Sequence, residues 1–129
     1  MYLKLSYIII HMITEEEITK GEITEMNRRY GGSVTYDAEI ETALSMGRGR
    51  SIYRKLALLW RAILVAHPFT DGNKRTCLTA TALVLERRGF RLTDEVLERV
   101  TKAMEKVAEK NMRDLRRLER MVRYALEGY

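Results

Sequence analysis

One cysteine and one proline are all that 129 residues contain of either. Cys77 has no second cysteine to pair with, which excludes a small scaffold stapled by internal disulfides. Linkers rich in serine, glycine or proline are missing, as are repeats and low-complexity runs, so no domain boundary is indicated. Nothing approaches the ~20 apolar residues that a bilayer span requires. The most apolar stretch near the start, Tyr7-Ile8-Ile9-Ile10-His11-Met12-Ile13, is far shorter. It also lacks a basic lead-in and a small-residue cleavage site, so it does not read as a signal peptide, and a cytoplasmic protein without membrane contact is expected.

What is present is apolar enough to fold. Hydrophobic residues make up 46% of the chain, which excludes a disordered tail. A domain of this length buries roughly two-thirds of its unfolded surface. The net charge is +5, and its excess is uneven: residues 99–129 carry nine basic side chains, from Arg99 to Arg123, against five acidic ones. Such a surface suits nucleic acid, a phosphorylated ligand or an acidic partner. The same spacing suits a solvated helical face, and nothing resembling a helix-turn-helix reading element accompanies it. Direct nucleic-acid contact is therefore not expected.

The periodicity is helical almost throughout. Thr14-Glu15-Glu16-Glu17 has the capping-box pattern, with acidic residues suited to the positive end of a helix, and predicts a first helix from there to about Tyr30. Gly31-Gly32 stops it. A short helix covers Ala38 to Met46, and Met46-Gly47-Arg48-Gly49-Arg50 reads as a mobile loop with no core residue. Ser51 caps a strongly apolar helix from Ile52 to about Ala66; its apolar residues occupy more than one face, which places it centrally. Further helices are expected over Asn73 to Arg88, from Asp94 to a break at Asn111, and over Met112 to Leu126. The one strand candidate is Tyr2 to Ile10, where β-branched residues cluster and where a dimer edge is available. The expected architecture is a single all-α domain over residues 1–129, a bundle of about six helices with at most a short N-terminal strand.

One segment does not look like helix packing: His67-Pro68-Phe69-Thr70-Asp71-Gly72-Asn73-Lys74-Arg75. It joins the two most apolar helices and is therefore held at the end of a rigid pair. Histidine is the side chain able to take a proton from an alcohol near neutral pH. Asp71 is a hard oxygen ligand of the kind Mg²⁺ accepts beside substrate phosphates and water. Gly72-Asn73 permits backbone angles that point successive N–H groups at one anion, and the helix that follows offers its N-terminus to phosphate. Lys74 and Arg75 add charge, arginine with a bidentate grip. Phe69 reads as an apolar anchor. Together these are the parts that phosphoryl or nucleotidyl transfer needs.

The same nine residues closely resemble the signature of the Fic/Doc family, His-Pro-Phe-x-Asp/Glu-Gly-Asn-Gly/Lys-Arg, at every specified position. Arg29-Tyr30-Gly31-Gly32 and Glu41-Thr42-Ala43-Leu44 look like upstream family segments, and Arg87-Arg88-Gly89 ends the helix after the motif as the family does. The resemblance covers most of residues 12–124. It implies a helical bundle with the motif between two central helices. It also implies that His67 deprotonates a hydroxyl of a target protein, Asp71 holds Mg²⁺, Gly72 and Asn73 bind phosphate of ATP through their backbone, and Arg75 neutralises phosphate charge.

Lys74 stands where Fic-type AMP transferases usually carry glycine, and Leu78 where they often carry a further arginine. Asn-Lys-Arg resembles instead the Doc (death-on-curing) branch, toxins of toxin–antitoxin pairs that resemble protein kinases and act on a translation elongation factor. A lysine fills the second phosphate cradle and adds a cation, so the nucleotide can bind reversed, with its γ-phosphate presented to the histidine. The resemblance thus implies catalytic roles for His67, Lys74 and Arg75 in phosphoryl transfer. AMP transfer, or a binding module that has lost its chemistry, are the alternatives. The stretch from Leu44 to His67 is shorter than in Doc-like chains, and it contains the 45–51 loop expected to dock the target. The inhibitory pattern Ser/Thr-x-x-x-Glu-Gly/Asn is not met: Thr35 to Glu39 and Thr101 to Glu105 have the spacing, but Ile40 and Lys106 follow. A separate antitoxin chain, folding as it binds, is expected.

Overall fold

Thr19, not Thr14, starts the first helix. Its backbone is extended, its hydroxyl accepts from the Glu22 N–H at 3.1 Å, and the Glu22 carboxylate accepts from the Thr19 N–H at 3.0 Å. Both halves of a capping box are therefore made, and they open α1, Lys20–Arg29. This corrects the expected start at Thr14, because residues 17–19 are not helical. Glu17, the acid that a Thr14 cap would need, is instead paired with the buried Lys55. The computed structural model describes residues 17–129; Thr14 itself, the Tyr2–Ile10 strand candidate and the dimer edge it offered lie outside the described residues.

Among the described residues there are five further α-helices: α2 (Ala38–Gly47), α3 (Ile52–Trp60), α4 (Asn73–Arg87), α5 (Asp94–Glu109) and α6 (Leu115–Glu127). No strand occurs among these residues, so the all-α expectation holds. Ser51 caps α3 by accepting from the Arg54 N–H, as expected. Thr93 caps α5 and Asp114 caps α6 in the same manner. Asn111 does break the chain between these last two, in a left-handed conformation (φ 49°). The last helix starts at Leu115 rather than Met112, since Asp114 is extended and Met112 is instead buried as an anchor of the connection. Gly47 also departs from expectation. It is buried against Lys55, whose Cα lies 3.5 Å from where a Cβ would sit, so the 46–50 segment does touch the core.

α3 is the centre of the bundle, packed by α2, α4 and α6, and one core draws residues from all six helices. Leu56, Trp60, Ile63 and Leu64 are buried beside Cys77, Ala80 and Leu85 of α4 and Leu118 and Val122 of α6. Each such side chain contributes about 1.5–3 kcal/mol by leaving water. Trp60 satisfies its indole by donating to Thr81 Oγ1 at 2.9 Å, and Thr81 donates on to the Cys77 carbonyl. Burial pushes the Cys77 thiol up, which keeps it protonated and inert. No described helix is long and apolar enough to cross a membrane.

α1 is held to α4 by a two-pronged ion pair in which Arg87 donates to both oxygens of Glu22, at 3.0 and 2.5 Å. That hydrogen bonding holds the Glu22 carboxyl below its ordinary value of 4.5. A carboxyl lowered on folding stabilises the protein above its unfolded pKa and loses that contribution as pH falls through the folded one. Glu22→Gln keeps an oxygen for the cap and discards the charge. Its melting temperature should therefore lie below wild type at neutral pH and converge on it below pH 4.5; a gap independent of pH would contradict the pairing.

Candidate active site

The end of α3 is irregular in a way that shapes the site. Its last turn, Arg61–Val65, winds as a π-helix, with the Ala66 N–H donating to the Arg61 carbonyl five residues back. The expected α-helix to Ala66 is corrected accordingly, and π-turns of this kind are common beside functional sites. His67 then takes a left-handed conformation (φ 52°), which costs a non-glycine residue about 1–3 kcal/mol. Pro68 forbids the helix to continue. The chain reverses, leaving His67 exposed while Pro68 and Phe69 are buried.

Two sets of contacts fasten the reversed loop. On one side the segment after α1 runs antiparallel to it: Thr35 donates to the Pro68 carbonyl at 2.8 Å and Thr70 to the Ser33 carbonyl at 2.9 Å, with a bridge between Val34 and Phe69. On the other side the Asn73 carboxamide spans the turn. Its Oδ1 accepts from the Phe69 N–H at 3.2 Å and its Nδ2 donates to the Phe69 carbonyl at 3.0 Å. Asn73 thus closes the loop through its side chain. Gly72 caps α4 with φ 73°, and a Cβ there would meet Tyr30 Cβ at 3.1 Å, so both backbone and space require glycine.

Not every amide of the turn is free. Gly72 donates to the Asp71 carboxylate at 2.8 Å, and those of Phe69 and Thr70 are used as described. The N–H groups of Asn73, Lys74 and Arg75, the first turn of α4, have no acceptor among the described residues. An anion at this end gains three aligned donors and the positive end of a fifteen-residue helix.

Those donors face a cleft of about 410 Å³ lined by Tyr30, Thr70, Asp71, Gly72, Asn73, Lys74 and Arg75. Five of the six expected site residues are thereby brought together; His67 is not among those lining the cleft and stands exposed at the far end of the loop. Tyr30, which the sequence marks only as part of an upstream segment, walls the cleft and is held by a 2.6 Å hydrogen bond with Thr79. A second recess of about 190 Å³, lined by Leu78, Thr101, Met104 and Glu105, shares Lys74 and Arg75 with the first.

Among the described residues no group of three or more histidine, cysteine, aspartate or glutamate side chains could hold a metal. Among the described residues Asp71 is the one carboxylate that lines the cleft. A single carboxylate fits Mg²⁺ that arrives with phosphate and water ligands, and does not fit a cation held by protein alone. The basic residues of α6 lie elsewhere: Arg116, Arg117 and Arg120 are exposed and none lines the cleft, while Arg123 stacks on Tyr53 at 4.0 Å.

A model of the Fic/DOC family matches residues 3–85, which include the whole loop and its fastening segments. No curated protein and no solved structure matches the chain.

Gly32 provides a test of the packing beneath the loop. A Cβ there would lie 2.4 Å from both Asn27 Oδ1 and the Asp71 carbonyl oxygen, two groups that the Asn27 Nδ2 hydrogen bond ties together. Gly32→Ala should cost about 1–3 kcal/mol in chemical denaturation; unchanged stability would show that the turn is not packed this closely.

Proposed function

The chain belongs to the Fic/DOC family, and on that premise we propose that it is a transferase moving the γ-phosphoryl group of ATP onto a side-chain hydroxyl of another protein. The observation that carries the proposal is the convergence, on one cleft, of three free helix-end amides, the Lys74 and Arg75 cations and a single carboxylate. Catalysis of phosphoryl transfer is largely positioning and charge stabilisation, and these are the groups that supply both.

In the proposed step the target hydroxyl oxygen forms a bond to the γ-phosphorus as the bond from phosphorus to the β–γ bridging oxygen breaks. His67 takes the hydroxyl proton and ADP leaves. Arg75, Lys74 and the amides of residues 73–75 carry the phosphate charge. Asp71 would hold Mg²⁺, which would supply further neutralisation of the phosphates. The exposure of His67, outside the cleft lining, suits a base whose substrate is presented on the surface of a second protein.

Lys74 and Leu78 favour phosphoryl over AMP transfer. Lys74 occupies the boundary between the two recesses, and Leu78, at the position where a further cation would grip another phosphate, contributes carbon instead. We further propose a Doc-like toxin whose target is a translation elongation factor and whose inhibitor is a separate antitoxin chain. Thr101 and Glu105 have the spacing of an internal inhibitory segment, but Lys106 follows where glycine or asparagine would stand, which supports an inhibitor supplied from outside.

Incubation with cell extract and ATP labelled at either the γ- or the α-phosphate tests the reaction. Label on an extract protein from γ alone is expected; label from α overturns the phosphoryl reading in favour of AMP transfer, and no label from either overturns both. His67→Ala should lower transfer by about 10²–10⁴, and chelation of Mg²⁺ should abolish it. Undiminished transfer in the variant would remove the imidazole from the mechanism.

A further inference from the structure

Asn27 is a deeply buried polar side chain near the cleft and does not line it. It sits in α1, 1% exposed, 44 residues before the turn it touches. Its Nδ2 donates one hydrogen to the Asp71 backbone carbonyl at 2.7 Å and the other to Thr76 Oγ1 at 3.1 Å. An amide nitrogen has two hydrogens, so its donor capacity is fully spent. Thr76 is itself fully buried and lies in the first turns of α4. One side chain thereby ties the turn to the helix whose N-terminus faces the cleft.

The acceptor half of the same carboxamide is different. Asn27 Oδ1 is buried and has no hydrogen-bond partner among the described residues. A buried acceptor left unpaired is destabilising, so a side chain chosen for stability alone would be apolar here. The donors account for its retention. With the Asp71 carbonyl held by Asn27 and the Asp71 Oδ1 engaged by the Gly72 N–H, Asp71 is fixed at both its backbone and its side chain while it lines the cleft. A side chain at Gly32 would meet the Asn27 Oδ1 and the Asp71 carbonyl oxygen, so the segment after α1 packs closely against this contact.

We propose that Asn27 is a positioning residue: from α1 it sets the direction of Asp71 and the register of the first turn of α4, and so tunes how the cleft grips a divalent cation and its phosphates. The inference rests on reading the cleft as the site of Mg²⁺ and ATP. It concerns a residue outside the motif, acting through Asp71 without touching any reactant.

Asn27→Leu tests it. Leucine keeps the volume nearly constant, removes both donors and also removes the orphaned acceptor, so the fold is expected to survive. Thr81→Val, which breaks the Trp60 hydrogen bond away from the turn, serves as a control for general loosening. Amide exchange on the full chain without ligand reads the turn directly. In Asn27→Leu the amides of residues 71–76 should exchange roughly five- to tenfold faster while those of α5 and α6 hold their rates. The apparent Mg²⁺ requirement for transfer should rise about 10–100-fold, with kcat much less affected, and Thr81→Val should leave it unchanged.

Turn amides exchanging at the wild-type rate, or loosening spread evenly as in the control, would overturn the proposal. Should Asn27→Leu not fold, Asn27→Asp, which retains the shape and exchanges a donor for an acceptor, is measured in the same way: faster exchange confined to the turn supports the positioning role, and unchanged or evenly spread exchange overturns it. A wild-type protein that transfers nothing from ATP would sink the proposed function. The exchange measurement would still decide the role of Asn27 in holding the turn.

Discussion

Everything in the site depends on a single side chain folding back on its own loop. Asn73 grips both the N–H and the carbonyl of Phe69, converting five residues into a closed ring whose far wall is the buried phenyl group. Each of these hydrogen bonds contributes about 1 kcal/mol, a modest figure. Their position matters more than their strength. They begin α4 at the one place where its first three amides open on a cleft, while Phe69 pins the ring to the core. Without that closure the amides, Asp71 and the two cations would have no common direction.

Several irregular features of the molecule gather around this ring. The π-turn at Arg61–Val65, the left-handed His67, the left-handed Gly72 and the unpaired oxygen of Asn27 all lie at one end of the bundle. Away from it the helices are capped by Thr19, Ser51, Thr93 and Asp114, as their sequences require. Asn111, at the break between α5 and α6, is the other left-handed non-glycine residue; the remaining irregularities sit where the core of α3 and α4 can stabilise a costly site. The pair α3 and α4 supplies that stability through Trp60, Thr81 and the apolar side chains around them.

Much of this is readable from residues alone. Apolar periodicity places six helices, and the density of polar chemistry between His67 and Arg75 marks the loop. Local competition defeats the rest. Thr14 and Thr19 both carry an acid three residues on, and nothing along the chain shows that Glu17 pairs with Lys55, 38 residues away. No pattern signals the π-turn, because Ala62, Ile63, Leu64 and Val65 are apolar in succession and all buried, so they mark no single face whose shift could be read. Tyr30 and Asn27 reach the site across 40 or more residues. Such contacts are set by how α1 lies on α4, which no window along the chain contains. That His67 does not line the cleft is equally hidden, since adjacency in sequence says nothing of which way a left-handed residue turns the chain.

Whether the first turn of α4 receives phosphate is tested most directly by titrating the ¹⁵N-labelled protein with Mg²⁺ and a non-hydrolysable ATP analogue, which needs no assumption about the target. The largest amide shifts should fall on Asn73, Lys74 and Arg75, with Tyr30 following at the cleft wall. Saturable binding that leaves these amides still and moves the exposed arginines of α6, or no binding at all, would contradict it.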